Sequence, residues 1–193
     1  AYVVHPPLGK WLIAIGMLVF GAESGFGWRF SAALFGTLLV PLVYAIARKL
    51  SGSVAVGAIA GGLLAIDGLA IALSRVSLLD GFLAFFLTLA FWFLLKDGDR
   101  TGPAILRFGG DTAGPVLWNR PWVIAAGASL GAATAVKWSG LYALAGVGVL
   151  LVVADAIARR RAGITSPYSA ALLRQAPVTF LQLVPIAAVV YLV

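Results

Sequence analysis

One stretch decides how the N-terminal part folds: Val3-Val4-His5-Pro6-Pro7-Leu8-Gly9-Lys10-Trp11. A proline fixes its own φ and lacks a backbone N–H, so two adjacent prolines suit the entry of a helix but not its interior. The sequence therefore predicts a helix over residues 8–22. These residues reach only about 22 Å, which is short of the roughly 30 Å hydrocarbon core of a bilayer. We expect an interfacial helix, with Lys10 and Trp11 at the headgroup level.

The composition is that of an integral membrane protein. Of the 193 residues, 62% are hydrophobic and 11% are charged, whereas about a quarter of the residues of a soluble domain are charged. The absence of cysteine excludes disulfides and thiolate chemistry, and one histidine leaves little for a histidine-based metal site. We expect no metal and no cofactor. The net charge of +7 comes without a basic patch interleaved with aromatic residues, so a nucleic-acid partner is not expected.

Six further apolar stretches predict membrane-spanning helices, at residues 30–47, 54–74, 76–95, 121–137, 141–158 and from 177 onward. The segment 97–120 is rich in Gly, Asp, Pro and Arg, which is typical of a loop. The expected fold is an all-α polytopic membrane protein with a single transmembrane domain over residues 1–193. In this domain, residues 1–29 form an extracytoplasmic loop that carries the interfacial helix, and residues 30–193 form about six transmembrane helices.

The basic residues predict the orientation. If the N-terminal segment lies on one side, ten basic residues fall on the opposite side: Arg48, Lys49, Lys96, Arg100, Arg107, Arg120, Arg159, Arg160, Arg161 and Arg174. Four remain on the first side: Lys10, Arg29, Arg75 and Lys137. Because basic residues in loops favour the cytoplasm, the side with ten is predicted to be cytoplasmic and the N-terminal segment to be outside.

Four blocks of the sequence together indicate a family. The stretch from His5 to Trp11 is followed in order by GWRF at 27–30, SRVSLLD at 74–80 and VKWSGLY at 136–142. The chain resembles the protein O-mannosyltransferases, polytopic enzymes of the GT-C class that take mannose from a polyprenyl phosphate. The resemblance implies a GT-C-type transmembrane helix bundle, chemistry on the extracytoplasmic face, secreted or membrane proteins as acceptors and a plasma-membrane location.

The four basic residues that violate the charge bias are the candidate site. Cations at a membrane boundary hold a lipid phosphate whose isoprenoid tail stays in the bilayer, and they stabilise that phosphate as it leaves. The candidate donor phosphate-binding residues are therefore Arg75, Lys137, Arg29 and Lys10. His5 and Asp80 are further site candidates on the same predicted side.

Each candidate also has a purely structural interpretation. Arg75 and Asp80 lie five residues apart across a bend, so their role can simply be to form an ion pair that closes the hairpin. Arg29, beside an indole, and Lys137 can be interfacial anchors, and snorkelling alone would explain Lys10. His5 can serve as a helix cap or a hydrogen-bonding residue.

Asp67 lies inside the second predicted span. An ionisable group within a membrane span is costly, so it suggests a functional role. An interhelical hydrogen bond to Ser, Thr or Trp is the favoured structural interpretation of this residue.

The family resemblance implies an adjacent Asp-Glu pair upstream of the His-Pro-Pro block, with the Asp as general base on the acceptor hydroxyl. No such pair occurs in these 193 residues. We therefore expect the catalytic acid upstream of Ala1, no catalytic residue in this chain, and no activity from the chain alone.

The sequence leaves two other functions open. One is another GT-C enzyme that moves a different sugar from a lipid phosphate. The other is a secondary transporter. Inverted repeats and polar groups near the midplane of the membrane would indicate that class. The high Ala, Gly, Val and Arg content suggests a GC-rich bacterium, such as an actinobacterium.

Overall fold

The computed structural model describes residues 4–108 and 113–192, and all regular structure within them is helical. The helices are α1 Leu8–Phe20, α2 Gly25–Ser51, α3 Val54–Ile66, α4 Gly68–Arg75, α5 Leu79–Leu106, α6 Pro121–Val136, α7 Ser139–Arg161, α8 Pro167–Ser169 and α9 Ala176–Leu192, with a π-helical turn, Ala170–Gln175, between the last two. Within the described residues, four helical segments are long and apolar enough to cross a membrane: α2, α5, α7 and the segment Pro167–Leu192. The prediction of an all-α polytopic membrane protein is confirmed.

Helix α1 begins directly after the two prolines, as predicted. Its 13 residues reach about 20 Å, too short to cross a bilayer upright. It ends at Gly21, whose φ of 92° is unfavourable for other residues. Close contact with α2 holds it in place, because a Cβ on Gly16 would lie 2.4 Å from the carbonyl oxygen of Gly27. The inclination of α1 to the membrane stays a prediction.

The second predicted span, 54–74, is broken at Asp67 rather than continuous. Helices α3 and α4 meet there at a bend of 54°. The Asp67 carboxylate accepts a hydrogen bond from the Ala70 backbone N–H at 2.7 Å and so caps the start of α4. The prediction that Asp67 forms an interhelical hydrogen bond is therefore wrong. Aspartate strongly prefers the N-cap position, which explains why the helix restarts at this residue.

The predicted loop over 97–120 is wrong for its first part. Helix α5 continues through Leu106 and includes Pro103. Asp97, Thr101 and Ile105 are buried at spacings of four residues, so they form one face of the helix against the bundle. Because Asp97 is charged, this buried face does not show a helical periodicity of apolar residues in the sequence. Residues 113–120 are irregular, and residues 109–112 of the predicted loop lie outside the described part of the chain.

Helix α6, the fourth predicted span, lies at the centre of the bundle. Its 16 residues reach about 24 Å. Most of them are buried, and α6 packs against α5, α7 and α9. Small residues permit the close approach to α9: a Cβ on Gly127 would lie 2.6 Å from the carbonyl oxygen of Leu183, and one on Gly131 would lie 2.4 Å from that of Ala187.

The described helices place their ends on two opposite sides of the bundle. On one side, called the outward side here, Gly9 of α1 contacts Leu79 and Val136, at the start of α5 and the end of α6. On the other, called the inward side, Lys49 of α2 forms an ion pair with Asp99 of α5. By the order of the helices, Arg29, Arg75 and Lys137 lie near helix ends on the outward side, and Arg48 and Lys49 lie near a helix end on the inward side. Which side faces the cytoplasm stays a prediction.

Candidate functional site

The outward side carries all four predicted phosphate-binding residues, in two subgroups. Gly9 contacts Leu79 and Val136, so the neighbouring residues Lys10, Asp80 and Lys137 belong to one region around the starts of α1 and α5 and the end of α6. Arg29 and Arg75 belong to a second region at the start of α2. We call these five residues the outward cluster.

The turn between α4 and α5 connects Arg75 to Arg29. The Ser77 hydroxyl donates a hydrogen bond to the backbone carbonyl of Trp28, which directly precedes Arg29. Ser77 adopts a φ of 54°, in the left-handed region that residues other than glycine rarely adopt. The turn is therefore held in one specific conformation, which is typical of functional sites.

Asp80 pairs with Lys137 and not with Arg75. Lys137 Nζ donates to Asp80 Oδ1 at 2.7 Å, and the two side chains are 32% and 50% exposed. The alternative in which Arg75 and Asp80 close the hairpin is therefore wrong. The pair joins α5 to the end of α6 and holds the Lys137 ammonium in a defined position. Because the pair is half-exposed, its contribution to stability is small.

The remaining candidates have few contacts. The Arg29 guanidinium lies 4.4 Å from the centre of the Trp28 ring, which agrees with the interfacial-anchor interpretation. Within residues 4–108 and 113–192 it forms no ion pair with a carboxylate. Lys10 Nζ donates to the backbone carbonyl of His5 at 3.2 Å. His5 does not cap α1, since Pro7 occupies the N-cap position and no side chain caps the helix. The helix-capping interpretation of His5 is therefore wrong.

Chemically, the outward cluster is a cationic surface. It contains four basic residues and one carboxylate, and it lies at the end of an apolar bundle. Within the described residues, Lys137 is the one member of the four with an ion pair to a carboxylate. Such a surface can bind a phosphate group at the membrane boundary.

Sequence reasoning missed a second charged group, on the inward side. Arg120 Nη2 donates to Asp97 Oδ2 at 2.6 Å, and its Nη1 donates to Asp155 Oδ2 at 2.7 Å. These three side chains are at most 5% exposed. We call them, together with Arg159, Gln175 and Thr179, the inward network. It lies roughly 25 Å from the outward cluster, the length of α6.

The inward network also secures the irregular segment before α6. The Arg159 guanidinium donates to the carbonyls of Ala113 and Pro115, both at 2.7 Å. Gln175 accepts from the backbone N–H of Leu117 at 2.7 Å. These buried side chains thus provide the backbone of residues 113–117 with hydrogen bonds that water provides at an exposed surface. The predicted cytoplasmic loop charges Arg120 and Arg159 are buried instead.

Two carboxylates compensate the charge of Arg120, since its guanidinium donates hydrogen bonds to both Asp97 and Asp155. Burial alone would lower the pKa of the Arg120 guanidinium, but hydrogen bonds and charge attraction from Asp97 and Asp155 outweigh burial and raise this pKa above its usual value. A signal was present in the sequence: Asp155 is an acid within an apolar helix, which requires a buried partner. Removing Arg120 and Arg159 from the ten predicted cytoplasmic charges leaves eight, so the predicted orientation is unchanged.

Comparisons with known proteins agree with the resemblance in the sequence. The family model of dolichyl-phosphate-mannose-protein mannosyltransferase matches residues 2–192. The polyprenol-phosphate-mannose--protein mannosyltransferase of Mycobacterium tuberculosis is 46% identical over 172 residues, covering 86% of this chain and 33% of the relative. The protein of the same name from Corynebacterium glutamicum is 45% identical over 168 residues, covering 84% of this chain and 32% of the relative.

A more distant relative is the dolichyl-phosphate-mannose--protein mannosyltransferase 6 of Candida albicans, which is 30% identical over 166 residues, covering 78% of this chain and 20% of the relative. The chain spans about a third of the length of the curated bacterial relatives that it matches. No solved structure matches it.

Proposed function

Because this chain belongs to the dolichyl-phosphate-mannose-protein mannosyltransferase family, we propose that it is part of a membrane enzyme that transfers mannose from a polyprenyl phosphate to Ser and Thr hydroxyls of proteins. The observation that carries the proposal is the 45% to 46% identity to polyprenol-phosphate-mannose--protein mannosyltransferases over more than four fifths of the chain. The outward cluster supports it with a surface suited to a lipid phosphate. The proposed donor and acceptor are those after which these relatives are named.

In the proposed reaction, an acceptor hydroxyl oxygen attacks the anomeric carbon of mannose. The bond between that carbon and the phosphate oxygen breaks, the configuration inverts, and the polyprenyl phosphate leaves with the electron pair. A general base accepts the hydroxyl proton. No residue of this chain is assigned as that base, since the Asp-Glu pair of the family is absent from the sequence.

The outward cluster would act on the leaving group. Negative charge grows on the phosphate as the sugar departs, and cations fixed beside it stabilise that charge without reorganising. Arg75 offers two parallel N–H donors to phosphate oxygens. Lys137 is already oriented by Asp80 at 2.7 Å. Arg29 and Lys10 extend the cationic surface, and His5 lies beside it.

The test of the proposed function is a transfer assay with the full-length enzyme that contains this chain. The purified protein in lipid nanodiscs receives polyprenyl phosphate carrying radiolabelled mannose and a Ser/Thr-rich acceptor peptide. We expect labelled peptide, and none from an acceptor in which Ala replaces every Ser and Thr. Label transferred only from a donor with another sugar, or only to a lipid acceptor, would overturn the proposal in favour of a different GT-C transferase.

The proposed active face is extracytoplasmic, in the plasma membrane, and this is tested separately. The chain contains no cysteine, so single cysteines introduced at Gly25 and Gly52 report the two sides. We expect an impermeant thiol reagent to label position 25 in intact cells and position 52 only after lysis. The reverse pattern would invert the assignment of every loop.

A further inference from the structure

The connection between α7 and α9 carries a group of exposed basic residues on the inward side. Helix α7 ends in three consecutive arginines, Arg159, Arg160 and Arg161, and Arg174 lies in the π-helical turn that precedes α9. Arg159 is buried and belongs to the inward network, whereas the other three are exposed. We call Arg160, Arg161 and Arg174 the inward arginine group.

These arginines lie in one region because the two segments that carry them contact each other. Arg159 Nη2 donates to Gln175 Oε1 at 3.4 Å. Arg160 and Arg174 adjoin these two residues in the sequence, so they lie on neighbouring helical turns. The Arg160 guanidinium also donates to the Tyr168 hydroxyl at 3.2 Å. The exposed end of α7 is thereby joined to the segment that leads into α9.

No carboxylate neutralises the inward arginine group in the part of the chain that the structure describes. The ion pairs found there involve other basic residues, Lys49, Arg120 and Lys137. Asp155 is the acid of α7, and it is paired with Arg120. Because a guanidinium is not deprotonated in proteins, three positive charges are concentrated at this corner of the bundle.

Exposed apolar side chains adjoin the same charges. In the π-helical turn, Leu172 and Leu173 are 59% and 71% exposed, and the exposed Arg174 follows them directly. Exposed leucines of a membrane protein contact acyl chains, and an arginine beside them reaches the headgroup level. The turn therefore presents a positive charge next to an apolar surface, and an anionic amphiphile matches both.

The contact between Arg160 and Tyr168 orients hydrogen-bond donors toward the inward side. A guanidinium has five N–H donors, and the Tyr168 hydroxyl accepts from one of them. Because the hydroxyl oxygen accepts in this bond, its own O–H remains able to donate to an anion. Tyr168 is 59% exposed, so a phosphate group can reach both side chains.

We propose that the inward arginine group binds the phosphate headgroup of an anionic phospholipid whose acyl chains lie against Leu172 and Leu173. Basic residues at a membrane boundary attract anionic headgroups, and arginine holds phosphate through paired N–H donors. A soluble acidic partner would match the charges but not the adjoining apolar surface. The site lies on the opposite side of the bundle from the outward cluster, so it is separate from the proposed donor surface and does not depend on mannose transfer.

The binding test uses the full-length protein in detergent, with native mass spectrometry to count bound lipids. Dioleoyl phosphatidylglycerol is titrated against wild type and against the double variant Arg160→Gln/Arg174→Gln. Both arginines are exposed, so the variant should fold as wild type does. We expect saturable binding to wild type and a Kd increased on the order of tenfold or more in the variant, because charge-assisted contacts to phosphate are lost.

The matched control removes the same charge elsewhere on the inward side. Arg48→Gln/Arg100→Gln replaces two exposed arginines, and Arg48 also contacts a tyrosine, since its Nη1 lies 3.4 Å from the Tyr44 hydroxyl. Its Kd for phosphatidylglycerol should match that of wild type. Tyr168→Phe keeps the ring and removes the hydroxyl, so it should increase Kd on the order of threefold.

Thermal unfolding provides a second measurement. A ligand that binds only the folded state raises Tm, so phosphatidylglycerol should raise Tm of wild type and of Arg48→Gln/Arg100→Gln but not of Arg160→Gln/Arg174→Gln. Equal increases of Kd in the two double variants would overturn the inference, because they would indicate unspecific charge attraction. An unchanged Kd in Arg160→Gln/Arg174→Gln would also overturn it.

The identity of the occupant is tested with two competitors. Dioleoyl phosphatidylcholine has the same acyl chains without net charge, and glycerol phosphate has the charge without acyl chains. We expect neither to displace phosphatidylglycerol at equal concentration. Displacement by phosphatidylcholine would reduce the site to a general lipid contact, and displacement by glycerol phosphate would make it a site for free phosphate. Either result would contradict an anionic-phospholipid site.

Discussion

The two ends of the bundle use charge in opposite ways. In the inward network, Arg120 is surrounded by Asp97 and Asp155, and all three side chains are at most 5% exposed. In the outward cluster, one half-exposed pair stands beside three basic residues without ion pairs to any described carboxylate. A buried charge must be fully compensated by the protein itself. An accessible and uncompensated charge remains free to bind an anionic ligand. The contrast therefore agrees with a structural role for the inward network and with the donor binding that we propose for the outward cluster.

The largest expected effect is at Arg120. Arg120→Ala leaves two buried carboxylates without a partner, and breaking a buried ion pair on one side costs about 3–5 kcal/mol. We expect a large loss of thermal stability of the full-length protein in detergent. The control is Lys49→Ala, which breaks the exposed pair with Asp99 and should cost less than about 1 kcal/mol. Similar stability of the two variants would contradict the structural role of the inward network.

The next effect concerns Arg75 and catalysis. Arg75→Ala should lower kcat/KM for the lipid donor on the order of 10- to 150-fold, since a charge-assisted contact to the phosphate is lost. Arg75→Lys should restore only part of it, because an ammonium lacks the two-pronged guanidinium geometry. Arg100→Ala, an exposed arginine on the inward side, is the matched control. Unchanged donor kinetics in Arg75→Ala would remove this residue from the site.

The last comparison concerns the pair of Lys137 and Asp80, where the smallest effect is expected for Asp80→Asn. Because this pair is half-exposed, Asp80→Asn should change stability by less than about 1 kcal/mol. Lys137→Ala should lower kcat/KM for the donor on the order of 10- to 150-fold, as proposed for Arg75 but at most to the same extent. Asp80→Asn should lower it less, since the ammonium stays but is held less firmly. A larger kinetic loss in Asp80→Asn than in Lys137→Ala would contradict a positioning role for Asp80.

The errors of the sequence-based prediction have one physical origin. Composition and apolar segment length are local properties, and they located helix α1 and the apolar helices long enough to cross a membrane. The sequence-based prediction missed the continuation of α5 through residue 106, because an aspartate such as Asp97 is typical of a loop. Only the structure shows that Asp97 is buried and paired with Arg120. The pairing of Asp80 with Lys137 depends on residues 57 positions apart, and no pattern in a single sequence specifies such a contact.

The sequence by itself determined that this is a polytopic, all-α membrane protein, where its helix-entry prolines lie, and which family its four blocks resemble. These follow from hydropathy, backbone chemistry and short motifs, which are encoded residue by residue. Only the tertiary structure decided that Asp67 breaks a span and caps α4, that Arg120 and Arg159 are buried, and that the turn after Arg75 is joined to Trp28, beside Arg29. Each of these depends on which helices pack together, and packing in a membrane is decided by close contacts of small residues and by polar satisfaction across the bundle.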